Sequence, residues 1–223
     1  MRNGTLALVV VVCSAVALAG QAPVPVHQEP LHKPVFENTA IRIIDLRLQP
    51  GQPSADHIHS NDSASVSISA SESQVRVPGS DWGAPRALRP VGEVQLTEYA
   101  GKPATHAVRN SGKHVYSVLG VHNLKMSGWT TSPPAPSSGP VKVLSSIRSF
   151  HTYDVRLAAK QAVDRTHQQP TVVVLVTGSA TLTRAAGPAT KLDPSRRWAV
   201  LNAGESFKLA ADADAHLVEM EAR

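Results

Sequence analysis

Cysteine and aromatic residues are scarce in this 223-residue sequence. The single cysteine, Cys13, sits in an N-terminal apolar run. The rest of the chain has no thiol, so it has neither a disulfide nor a thiolate ligand, and any metal there is held by nitrogen and oxygen. Three residues each of Trp, Tyr and Phe leave few surfaces on which bases could stack, which argues against single-stranded nucleic acid. Basic residues exceed acidic ones, 22 to 17, for a formal charge of +5. They are scattered, with Arg196-Arg197 the densest pair. No basic stripe tracks phosphates, so no nucleic-acid partner is expected. The chain also lacks a phosphate-cradling Gly loop, a dinucleotide fingerprint and a Ser-His-Asp order, which sets aside P-loop and Rossmann functions.

Long apolar runs are missing as well. Leu6 to Ala19 spans 14 residues, short of the about 20 needed to cross a bilayer. Arg2 precedes the run and Ala17-Leu18-Ala19 ends it with a small-x-small pattern, so residues 1–19 read as a cleaved secretory signal. Val10-Val11-Val12 before Cys13 does not suit lipidation. The expected mature protein is secreted or periplasmic, without a membrane segment. Residues 20–34, with Pro23, Pro25, Pro30 and Pro34, read as an extended arm with His27 and His32 in solvent.

From residue 40 onward the chain has β periodicity. Ala40 to Leu48 and Ser63 to Ser69 alternate apolar with polar or small residues. Gln74 to Val77, Glu93 to Tyr99, Thr105 to Asn110 and Val115 to Leu124 continue the pattern. Residues 130–140 hold four prolines and read as a linker. Beyond it, Thr152 to Leu157, Thr171 to Thr177, Ala180 to Arg184, Trp198 to Asn202 and His216 to Glu221 read as strands, with Gly178 an interruption. Asp45-Leu46-Arg47-Leu48 matches Asp154-Val155-Arg156-Leu157 at an interval of 109 residues, and Ala100-Gly101 matches Ala203-Gly204 at 103. An interval this long marks a duplicated domain.

Within the first copy, His57 and His59 are two residues apart and project to one face of a strand. Gly51, five residues, then His57-Ile58-His59 resembles the first half of the first cupin motif. His106-Ala107-Val108-Arg109-Asn110, with Gly101 and Pro103 upstream, resembles the end of the second. The chain is therefore similar to the bicupins, and the resemblance implies an all-β fold of two cupin-type jelly-roll β-barrels in tandem. The first would span residues 35–129 and the second, degenerate one 141–223. The resemblance further implies that His57, His59 and His106 converge on a divalent transition metal. Fe, Mn, Ni, Cu and Zn all suit imidazole ligands.

The family's first motif carries a Glu where this chain has Ser63 and Ala64. Asp62 stands one residue early, so it joins the ligands only if a bulge re-aims it. His114 and His122 are expected on the exterior or rim of the barrel. With Asp45 aligned to Asp154, His57 and His59 fall on Thr166 and Gln168, His167 replaces Ile58, and Phe207 replaces His106. A one-residue slip would bring His167 inward, alone. The second barrel is expected to be metal-free, with a role in packing, dimerisation or shaping the first barrel's mouth. Two functions remain open. One is a metal enzyme acting on a small molecule, and the other is a non-catalytic ligand-binding or structural bicupin with weak or absent metal binding. Pairing of two copies into a homodimer is an expectation by analogy with the family.

Overall fold

The computed structural model describes residues 22–125 and 139–223. The signal-like segment lies outside these residues, as does the linker apart from Gly139 and Pro140. Among the described residues the only helical turn is a 3-10 turn at Val26–Gln28. All other regular structure is strand.

The first half contains β1 (Val24–Pro25), β2 (His32–Glu37), β3 (Ile41–Leu48), β4 (His57–His59), β5 (Ser63–Ser69), β6 (Ser73–Arg76), β7 (Val94–Thr97), β8 (Ala104–Asn110) and β9 (Tyr116–Asn123). These form two sheets, ordered β1-β4-β8-β6 and β2-β3-β9-β5-β7. Their inner faces meet through Leu46, Leu48, Val108, Tyr116 and Val118 and enclose a cavity.

The Pro-rich segment is not a solvated arm. Val24 pairs with His57 in a parallel β1–β4 contact, and β2 pairs antiparallel with β3. Prolines fit here because both strands are sheet edges, where a missing N–H leaves no central ladder broken. The β2–β3 register shifts between Pro34 and Phe36.

The second half contains β10 (Val141–Ile147), β11 (Phe150–Leu157), β12 (Ala162–Thr166), β13 (Thr171–Arg184), β14 (Thr190–Leu192), β15 (Trp198–Leu201) and β16 (Ser206–Ala222). Gly178 does not end a strand. β13 runs through it, and the register against β16 shifts on either side. Gly178 has φ +83, and a Cβ there would strike the Asp214 carbonyl oxygen. The residue is a bulge that bends two long strands around the barrel.

The halves pack sheet on sheet. Ile41, Ile43, Val66 and Val121 point away from the first cavity and join Val172, Val174, Val218 and Met220 in one apolar layer. Each such side chain contributes about 1.5–3 kcal/mol when fully buried. The duplicated segments occupy equivalent places. Asp45 pairs with Leu119 and Asp154 with Val218, and each Asp holds the Arg two residues on, at 3.0 and 2.8 Å.

Candidate metal centre

The site is built on the β4–β8 ladder. His57 lies directly opposite His106, and His59 is two residues along β4. Antiparallel partners and i, i+2 neighbours share a face, so all three imidazoles point into the barrel. Their ligand nitrogens lie within 4.8 Å of one another. Two nitrogens bound to one ion at about 2.1 Å are about 3–3.5 Å apart, so the cluster is a side-chain rotation from a coordination shell. The chain before β4 is pinned to β8: Gly51 N–H donates to Asn110 O at 2.9 Å and Ser54 N–H to Val108 O at 2.8 Å. Asn110, fully buried, donates through its amide to Leu48 O at 2.9 Å and to His114 O at 2.7 Å.

His57 Nδ1 lies 2.9 Å from Ala55 O. A carbonyl only accepts, so Nδ1 carries the proton and Nε2 keeps its lone pair. His57 Nε2 is buried without a hydrogen-bond partner, and so is His59 Nδ1. A buried polar atom left unpaired costs about 1–3 kcal/mol, so two in one cluster call for a ligand. Burial, reinforced by the neighbouring imidazoles, pushes His57 down to about 3. Burial likewise lowers His59, aided by His122 and His106. His106 falls to about 4 through burial, His32 and Arg86. Neutral imidazole is the form that binds metal, so the donor set fits a divalent transition ion.

Two more histidines enter the same cavity. His32 is buried on β2, its ring 4.2 Å from that of His57. His122 is buried on β9, its ring 5.8 Å from that of His59, and its Nδ1 has no partner. Burial and the charge of Arg42 push His122 down to about 3. Local pattern alone puts His32 in solvent and His122 at the rim, but both lie on inner faces of the five-stranded sheet, opposite β4. Tyr99 stacks on His59 at 4.7 Å, and burial raises its pKa. His114 is exposed, as expected.

Asp62 stays outside the cluster. Its Oδ1 accepts a hydrogen bond from Ala100 N–H at 2.8 Å, and no bulge turns it toward the histidines. The carboxylate holds the turn after Tyr99 instead.

In the second barrel an ion-pair network and an aromatic ring occupy the equivalent space. Arg165 lies opposite Phe207, as His57 lies opposite His106. The copies therefore align with Arg165 at His57 and His167 at His59, one residue off the register expected from Asp154. The β3–β9 and β11–β16 registers likewise place Glu219 at Gly120 and Glu221 at His122. Arg165 pairs with Glu219 at 2.7 Å and His167 with Glu219 at 2.8 Å, while Phe207 fills the core. His167 is thus not alone. Burial would lower its pKa, but Glu219 and Glu221 outweigh burial and raise it. Among the described residues the first barrel holds the one histidine-rich cluster suited to a metal.

No protein-family model and no curated protein matches the sequence. Solved structures match the fold. Salicylate 1,2-dioxygenase from Pseudaminobacter salicylatoxidans aligns over 82% of this chain and 71% of its own, at 12% identity and TM-score 0.58. The same enzyme with gentisate adducts aligns over 84% and 70%, at 13% identity and TM-score 0.59. AerE from Microcystis aeruginosa aligns over 87% and 98%, at 10% identity and TM-score 0.61. These likenesses carry the fold, and the histidine triad lies where the cupin resemblance implies it. The chain has a bicupin-type fold, two jelly-roll β-barrels in one chain, with its histidine cluster in the first.

Proposed function

We propose that this chain is an exported, metal-dependent bicupin that binds a divalent transition metal through His57, His59 and His106 and acts on a small molecule in the adjoining cavity. The observation that carries this reading is the pair of buried, unpartnered nitrogens, His57 Nε2 and His59 Nδ1, within a cluster of neutral imidazoles. A bound ion there would supply Lewis acidity and open coordination positions. The protein's own part is to hold the imidazoles deprotonated, to stack Tyr99 on His59, and to line a cavity of about 140 Å³ with Ile44, Leu46, Val108 and Val118. An all-imidazole donor set suits Fe, Mn, Ni, Cu or Zn. Export rests on the N-terminal segment alone.

A second reading is a non-catalytic ligand-binding bicupin. It is favoured by the absence of a carboxylate from the cluster, since Asp62 is committed to Ala100. Metal analysis of the purified full chain tests the proposal, with His57→Ala and His106→Ala as variants. About one metal per chain, lost in both variants, supports it. Metal that is absent, or unaffected by either change, overturns it.

A further inference from the structure

The charged side chains that line the cavity have one sign, although the Glu29 carboxylate lies behind His32. Arg86 and Arg89 line the cavity, and among the described residues no Asp or Glu does. Arg89 is engaged: its Nε donates to Glu93 at 3.3 Å and its guanidinium reaches the Ser65 and Glu93 carbonyls. Arg86 has no acidic partner within ion-pair distance among the described residues, although its backbone N–H anchors the segment to Ser73 O at 2.7 Å. Its side chain is exposed at the mouth.

The ligand set adds to this. Three neutral imidazoles cancel none of a divalent ion's charge, so a metal in the triad and a guanidinium at the mouth face the same small space. Such a space favours a counter-charge, and a carboxylate is the group that matches a guanidinium fork with two hydrogen bonds. Size limits the rest of the molecule. A cavity near 140 Å³ holds an object the size of benzene, by comparison with an engineered cavity of about 150 Å³ that takes it. Part of the wall is apolar: Ile44, Leu46, Val75, Val108 and Val118. Gly120 leaves room on β9, where the second barrel carries Glu219.

We infer that the cavity takes a small monocarboxylate with a compact apolar body, its carboxylate held by Arg86 at the mouth and its body directed toward His59 and His106. The inference rests on the proposed metal site and narrows it to a ligand class. Arg86 is a specificity-determining residue in this arrangement.

The test uses the full chain, metal-free and loaded with Co(II). Calorimetric titration compares acetate, butyrate and benzoate with acetamide, butyramide and benzamide. Arg86→Met and Arg86→Lys are titrated alongside, with urea unfolding midpoints to confirm that both fold. Cobalt uptake is measured separately by elemental analysis. The expected result is at least one acid binding tenfold or more tightly than its amide. Arg86→Met removes that preference while leaving amide binding and cobalt uptake unchanged, and Arg86→Lys keeps part of it. Acids that bind no better than amides, or a preference that survives Arg86→Met, overturn the inference. Cobalt uptake without acid preference sinks this inference alone. Acid preference without cobalt uptake sinks the metal site alone.

Discussion

Glu29 Oε2 lies 2.6 Å from His32 Nδ1, and Glu29 Oε1 accepts a hydrogen bond from Ala55 N–H at 3.0 Å. One buried carboxylate thus ties an imidazole on β2 to the residue two before His57. Burial would raise its pKa, but the His32 bond and the Ala55 and Leu31 N–H groups outweigh burial and hold it down to about 2. Glu29→Ala leaves these donors unpaired in the interior, so it is expected to destabilise the fold by about 2–4 kcal/mol. Urea denaturation at neutral pH checks this. Because the folded pKa is depressed, the contribution of Glu29 is present above its unfolded value near 4.5 and is lost as pH falls toward 2.

The metal-free chain should lose stability earlier on acidification, through its histidines. His57 and His122 have folded values near 3, below the ordinary 6.5. Between those limits the unfolded chain binds protons and the folded chain does not, so stability falls as pH falls. Each of the two contributes about 1.4 kcal/mol per pH unit below 6.5. Unfolding midpoints of metal-free protein from pH 7 to 5 measure the slope. His122→Phe should flatten it, and an unchanged slope would show that His122 does not titrate on unfolding.

A Cβ on Gly120 would meet the His122 ring at 3.8 Å and Ile44 O at 3.9 Å, ordinary contact distances, where the second barrel has Glu219. Gly120→Leu is expected to occupy the cavity opposite His59. Ligand binding should fall tenfold or more while cobalt uptake is retained, because β4 and β8 are untouched. Paired calorimetry and elemental analysis separate the two effects.

Gly178 is held in the left-handed region against the Asp214 carbonyl. Gly178→Ala combines backbone strain with a collision against β16, a cost above about 3 kcal/mol. A large drop in thermal midpoint or a loss of soluble protein is the expected outcome. A variant as stable as the parent would mean that β13 and β16 can part there.

Much of the site is local and therefore legible in the sequence. The His57-Ile58-His59 spacing places two imidazoles on one strand face, and the resemblance of His106 to Asn110 to a cupin motif supplies the third imidazole and the amide that pins the turn. Alternation also locates β3, β5, β8 and β9 to within a residue or so. The strands β1 and β2 are not legible in the same way, because prolines, read locally, argue against a sheet. Only the edge position makes them compatible with one.

What the sequence determined is which residues share a face, because side-chain direction along a strand depends on its own period of two. Which faces meet was decided by the tertiary structure. His32 and His122 entered the cavity, Asp62 left the ligand set for Ala100, and the second copy slid by one residue so that Arg165 and His167 stand where His57 and His59 do. Each of these outcomes depends on pairing between strands far apart in the chain, where register and barrel closure, not local alternation, set the neighbours. The one cluster suited to a metal among the described residues therefore follows from the first barrel's closure around His57 and His106.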